Sequence, residues 1–229
     1  MKNRSSILAA AFALGCIIPA CNTSRAVKGG TIGAAAGAGA GAVIGNQFPG
    51  KNGTAIGAII GAAVGGTAGT LIGRRMDKQA EELRTDLEGA TVTRVGEGIR
   101  ITFDSGLLFA VDQSALSGSA QGNLGNLAAT LQKYDDTEVL VEGHTDADGT
   151  EEHNHALSIR RAQTVSAYLV QQGVKSGRLS TMGYGEGQPV DANSTEVGKA
   201  ANRRVEIAIF ANKRMQRAAE RGDLDSPVQ

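Results

Sequence analysis

Residues 142–162 read "EGHTDADGTEEHNHALSIRRA", a polar stretch that leaves an apolar run and enters an amphipathic one. The residues leading into it, "EVLVEG" (Glu138 to Gly143), alternate as a half-buried strand does. The segment that follows, "HALSIRRAQTVSAYLVQQG", clusters Leu157, Val165, Tyr168 and Leu169 on one helical face and closes on Gly173, a helix-terminating residue. The local plan is therefore strand, polar loop, helix. Loops at strand ends, held by a scaffold, are where binding residues gather.

Working outward, the same two periods recur. "GIRITF" (Gly98 to Phe103) alternates, and "NRRVEIAIF" (Asn202 to Phe210) sets Val205, Ile207 and Ile209 on one face. Between them "GNLGNLAATLQKY" places Leu124, Leu127 and Leu131 at helical spacing. Strands alternating with amphipathic helices predict an α/β sandwich, one sheet covered by helices, over residues 92–211. The charged residues 212–229 are expected to fray. Upstream, "RRMDKQAEELRTDLEG" is a glycine-free charged run that predicts a solvated helical spacer, 74–91, closed by Gly89.

The first third has a different grammar. Glycine stands at 29, 33, 37, 41 and 45, and again at 53, 57, 61, 65, 69 and 73. Each helix-interior glycine costs about 1 kcal/mol relative to alanine, so a regular spacing needs compensation. Small residues every four positions let helix backbones approach closely. "NQFPGKN" between the two runs is rich in turn formers, so residues 29–73 predict a glycine-zipper helical hairpin with a tendency to self-associate into a homo-oligomer. Thr54 to Gly73 carries no charge for 20 positions, about 30 Å of helix and so bilayer length.

The N-terminus carries Lys2 and Arg4, then an apolar run from Ile7 to Ile18, the pattern of an export signal over residues 1–20. The only two cysteines, Cys16 and Cys21, lie at its end. A cysteine there resembles a bacterial lipobox, in which it is acylated and becomes the mature N-terminus. Cys21 is the expected site because "NTSRAVKGG" after it makes a polar tether, 21–28; Cys16, after Ala13-Leu14-Gly15, is the alternative. With 23 basic and 23 acidic residues, the chain has no broad positive field for nucleic acid.

Catalytic and metal readings of the polar stretch fall short. His144, Asp146 and Asp148 do not fit a calcium loop, which places carboxylates at its first and last positions. His144, His153 and His155 have no HExxH pattern or cysteine partner for zinc, and no nucleophile elbow is present. No cofactor, metal or enzymatic activity is expected. Gly183, Gly185 and Gly187 supply turn geometry rather than a phosphate loop.

"GHTDADG…N.ALSIRRAQTVSAYL", then "GYGEGQPV" and "NRRVEI", resembles the OmpA-like C-terminal domain, a peptidoglycan-binding module. The resemblance implies a βαβαβ-type mixed sheet with two main helices on one side. It also implies that Asp146 and Arg161 bind the diaminopimelate of the stem peptide, with Asn154 as the helix-start asparagine. Within Asn202, Arg203 and Arg204 one arginine is expected to face the pocket, and Arg204 is the one preferred. The chemistry agrees: a zwitterion needs an anion for its ammonium and a cation for its carboxylate, and Arg grips carboxylates bidentately. The plainer alternative is that Asp146 and Arg161 pair with each other as a structural ion pair.

The expected function is a lipid-anchored outer-membrane protein whose periplasmic domain holds peptidoglycan without a covalent bond. The alternative is an oligomeric, membrane-inserted glycine-zipper assembly, a pore or transport component, that uses the domain as a wall anchor.

Overall fold

In a computed structural model the structure describes residues 55–110 and 112–225. The export signal, Cys16 and Cys21, the tether and the first glycine segment with its turn lie outside the described residues. The described chain runs α1 (Ala55–Gly61), α2 (Gly66–Asp86), β1 (Ala90–Val95), β2 (Gly98–Asp104) and a single turn, α3 (Ser105–Leu108). It continues with α4 (Gly118–Lys133), β3 (Thr137–Gly143), α5 (Glu151–Gln171), β4 (Leu179–Gly183), α6 (Glu196–Asn202), β5 (Arg204–Ala211) and α7 (Lys213–Arg221).

The strands form one sheet in the order β1-β2-β5-β3-β4. Every neighbouring pair is antiparallel except β3 and β4, which are parallel and joined through α5. This is the expected mixed α/β sandwich. The last strand to form in sequence, β5, lies at the centre, and all eight of its residues are buried. Its alternation splits it between two faces. Val205, Ile207 and Ile209 enter the main core with Ile99, Ile101 and Phe103 of β2, the α4 leucines, and Val165 and Leu169 of α5. Ala208 and Phe210 face the other way, with Leu140, against Ala55, Ala58 and Ile59 of α1.

The second glycine segment departs from the expected bilayer-length helix. Gly65 and Gly66 take φ of 73° and 63°, left-handed values that glycine adopts at little cost, and they break Thr54–Gly73 into α1 and the start of α2. Glu97, in the β1–β2 turn, accepts the Val64 and Gly65 amides at 2.8 and 2.7 Å and so holds this corner. A Cβ on Gly69 would stand 2.1 Å from Glu97 Oε1. Here a zipper glycine makes room for a carboxylate of the same chain. Among the described residues no helix is long and apolar enough to cross a membrane.

The charged spacer is a helix, as expected, but it ends at Asp86, its last two residues, Ala90 and Thr91, already belong to β1, and only its outer face is solvated. Within α2, Ile72, Met76, Ala80 and Leu83 are fully buried at helical spacing, each large one contributing roughly 1.5–3 kcal/mol by burial. The expectation of a frayed tail is corrected for residues 213–221, which form α7. Asn212 caps its first turn by accepting from the Arg214 and Met215 amides, and Gly222 at φ 79° closes it. Met215 and Ala219 are buried in the main core.

Candidate functional site

The end of β3 and the start of α5 define the site. After Gly143 the chain is pinned on both sides: the His144 amide donates to the Arg204 carbonyl at 3.0 Å and the Thr145 amide to the Gly185 carbonyl at 2.9 Å. Thr150 caps α5 by accepting from the His153 amide at 3.2 Å. Between these anchors lies a cavity of about 540 Å³ whose lining includes Ser105, Phe109, Asp112, Asp146, Arg161 and Arg203.

Asp146 is 7% exposed. Its Oδ1 accepts the Asp148 amide at 3.2 Å, and its Oδ2 pairs with Arg203 Nη1 at 2.5 Å. Arg161, 4% exposed, lies two turns along α5 from Asn154 and so on the same face. Its Nε donates to the Gln113 carbonyl at 3.0 Å, and its guanidinium stacks over Phe109 at 5.3 Å. Among the described residues nothing hydrogen-bonds its two terminal nitrogens. Burial pushes this guanidinium below the usual arginine range, and Asp112 and then Asp146 pull it back. The alternative of a direct Asp146–Arg161 ion pair does not hold: both line the cavity, and Asp146 takes Arg203 instead.

Asn154 is placed in the site, but as a brace. Its Nδ2 donates to the Asp146 carbonyl at 3.2 Å, the Asp148 carbonyl at 3.1 Å and Glu186 Oε2 at 2.7 Å. At 2% exposure it shapes the loop that presents Asp146. Arg204 is not brought to the cavity. It lies on the opposite face of β5, bonded through Nε to Glu206 Oε1 at 2.7 Å and through Nη1 to the Gln188 carbonyl at 3.3 Å. Arg203 takes the place expected of Arg204, because the strand's alternation puts these neighbours on opposite faces.

Sequence reasoning missed three further lining features. Asp112 pairs with His153 Nε2 at 2.8 Å across the rim. Ser105 Oγ and Thr145 Oγ1 are buried with no hydrogen-bond partner among the described residues, and both residues line the cavity. Unpaired buried hydroxyls are costly in a finished core and are expected where a polar ligand or water completes them. The three histidines diverge: His144 is buried, His153 sits at the rim, and His155 is exposed. Among the described residues no group of three His, Cys, Asp or Glu side chains could hold a metal.

A second buried polar cluster sits beneath α1. Glu142 and Glu206 are cross-strand neighbours, and Glu142 Oε2 accepts the Ala55 amide at 2.6 Å. Burial, aided by Glu206, pushes the Glu142 carboxyl up to about 8, against the Ala55 amide and Arg204. Burial and Arg204 push the nearby His144 ring down to about 3. His144 stacks on Tyr184 with ring centroids 5.4 Å apart.

Fold and site together define a class: a mixed α/β sandwich carrying a charged pocket where its third strand runs into the following helix. The chain belongs to the OmpA family, whose model matches residues 108–203; a YMGG-like Gly-zipper model matches residues 1–77. It is similar to the peptidoglycan-associated lipoprotein of Mesorhizobium japonicum, 33% identical over 117 residues that span 51% of this chain and 70% of that protein. It is 38% identical over 136 residues to the probable lipoprotein YiaD of Escherichia coli, covering 58% of this chain and 62% of YiaD. The chain thus spans between a third and two thirds of the length of several curated relatives it matches. Among solved structures, the cell wall anchor of the T6SS from Pseudomonas aeruginosa superposes with a TM-score of 0.53 at 30% identity, covering 60% of this chain and 98% of that one.

Proposed function

We propose that this protein is a non-enzymatic, lipid-anchored outer-membrane protein that tethers the membrane to peptidoglycan by gripping the diaminopimelate of the stem peptide. The observation that carries this reading is Arg161, a buried cation whose terminal nitrogens have no partner among the described residues, lining the same cavity as the carboxylate of Asp146. A buried charge without a counter-charge is costly, and a ligand carboxylate supplies the missing one. Asp146 accepts the ligand's ammonium, and Ser105 Oγ and Thr145 Oγ1 offer neutral hydrogen bonds. The peptidoglycan-associated lipoprotein of Mesorhizobium and the cell wall anchor of Pseudomonas, to which this chain is similar, support the same reading.

In this reading the signal 1–20 is removed, Cys21 carries the acyl chains, and the periplasmic domain of residues 92–211 binds the wall. The zipper of residues 29–73 leads into that domain, with homo-oligomers forming through its glycines. The membrane-inserted alternative loses support from the second glycine segment, whose described part packs on the sheet and core of its own chain.

The test is co-sedimentation of the mature protein with purified sacculi, with and without free meso-diaminopimelate. Asp146→Ala and Arg161→Ala are each expected to lose sedimentation while circular dichroism stays unchanged. Undiminished sedimentation of both variants sinks the site assignment.

A further inference from the structure

The cavity's charges are paired unequally. Asp148 is held by Lys199 at 2.9 Å and Asp112 by His153 at 2.8 Å. Asp146 is held by Arg203, whose side chain is 39% exposed while that of Asp146 is 10% exposed. Arg161 alone among the lining ions is buried without an ion-pair partner among the described residues. The pocket thus offers an incoming zwitterion one open position, for its carboxylate, and one occupied position, for its ammonium.

We propose that Arg203 is a resident stand-in for the ligand's ammonium, and that binding proceeds by partner exchange at Asp146. This rests on the wall-binding reading above. The half-exposed guanidinium is the partner that can leave cheaply, because water replaces what it loses, whereas the buried Asp146 carboxylate must keep a cation or pay desolvation. Arg203 makes no other side-chain hydrogen bond among the described residues, so nothing else holds it in place. Two consequences follow for specificity. Arg203 competes with an ammonium and so weakens every ligand that carries one. It also neutralises Asp146 in the empty site, and so tolerates a carboxylate without an ammonium, which a bare Asp146 would repel.

Two probes of the same carbon skeleton separate these effects: meso-diaminopimelate, and pimelate, which lacks both amino groups. Calorimetry, with competition titration for the weaker probe, is run on the mature full-length protein, Arg203→Gln and Arg203→Lys. Arg203→Gln is expected to tighten diaminopimelate by about two- to fivefold, the range spanned by breaking a half-exposed ion pair, and to weaken pimelate. Arg203→Lys, which keeps a cation beside Asp146, is expected to stay near the parent selectivity. A merely structural role shifts both probes in the same direction, and a direct contact to the ligand makes Arg203→Gln weaken diaminopimelate; either result overturns the exchange. If the parent protein binds neither probe nor sacculi, the wall-binding reading itself falls, and the exchange falls with it.

Discussion

The Ser158 carbonyl oxygen lies 2.1 Å from the point that a Cβ on Gly143 would occupy. The α5 backbone therefore crosses the end of β3 at a separation that only glycine permits. Backbone cannot rotate aside as a side chain can, so Gly143→Ala forces the helix away from the strand. The expected cost is about 1–3 kcal/mol or more, read by denaturant unfolding. Because the same crossing sets the spacing between Asp146 and Arg161, sacculus binding is expected to fall further than stability alone accounts for. A variant of parental stability and affinity removes this account of the glycine.

Asn154 offers a separate test, since it braces the loop and also lines the cavity. Asn154→Ala takes the donor from two backbone carbonyls and from Glu186, with an expected loss of about 1–3 kcal/mol. Asn154→Asp cannot donate at neutral pH and adds a charge opposite Glu186, so it is expected to be the worse of the two. Thermal melting combined with sacculus sedimentation checks the order. An alanine variant that melts normally but fails to sediment would instead make Asn154 a direct ligand contact.

The cluster under α1 predicts opposed pH dependences. Glu142 has a folded-state pKa raised from 4.5 to about 8. Its contribution is fully present below the unfolded value and is lost as pH rises through about 8. His144 is depressed from 6.5 to about 3, so its contribution is present above 6.5 and is lost as pH falls toward 3. Stability is expected to peak between the two and decline on both sides. Glu142→Gln should remove the alkaline decline, worth on the order of a few kcal/mol, while leaving the acid limb. An unchanged alkaline limb in urea melts across pH 5–9 contradicts the assignment.

Met215, fully buried on α7, tests whether the last helix belongs to the core. Met215→Ala is expected to cost roughly 2–5 kcal/mol. A frayed tail predicts no change in the unfolding midpoint.

The three inner strands, β2, β5 and β3, and the two main helices were legible because their apolar spacing matches the two backbone periods, as Ile207 and Leu127 illustrate; the edge strands β1 and β4, each only partly buried, carry no comparable apolar alternation and were not legible. The break at Gly65 and Gly66 was not legible, since a glycine at every fourth position reads the same whether the helix continues or stops. What decides it is Glu97, a distant carboxylate that caps the corner. The α7 helix had its signals in Asn212 and Gly222, but nine mostly charged residues gave no reason to expect Met215 and Ala219 to find a core. Asp146 and Arg161 came from the ordered motif around them. Choosing Arg204 over Arg203 was an error of parity: with Val205 in the helix-covered core, its immediate neighbour must point away and the residue before that must point back.

The Ala55 amide is bound to Glu142, four residues ahead of Asp146 on the same stretch of chain. A mechanical load entering the domain from its N-terminal side therefore meets β3 directly, at the strand that feeds the ligand loop. On the proposed wall-tethering reading, tension between an N-terminal anchor and a bound wall fragment would run along one short segment, with the rest of the sheet acting as its clamp.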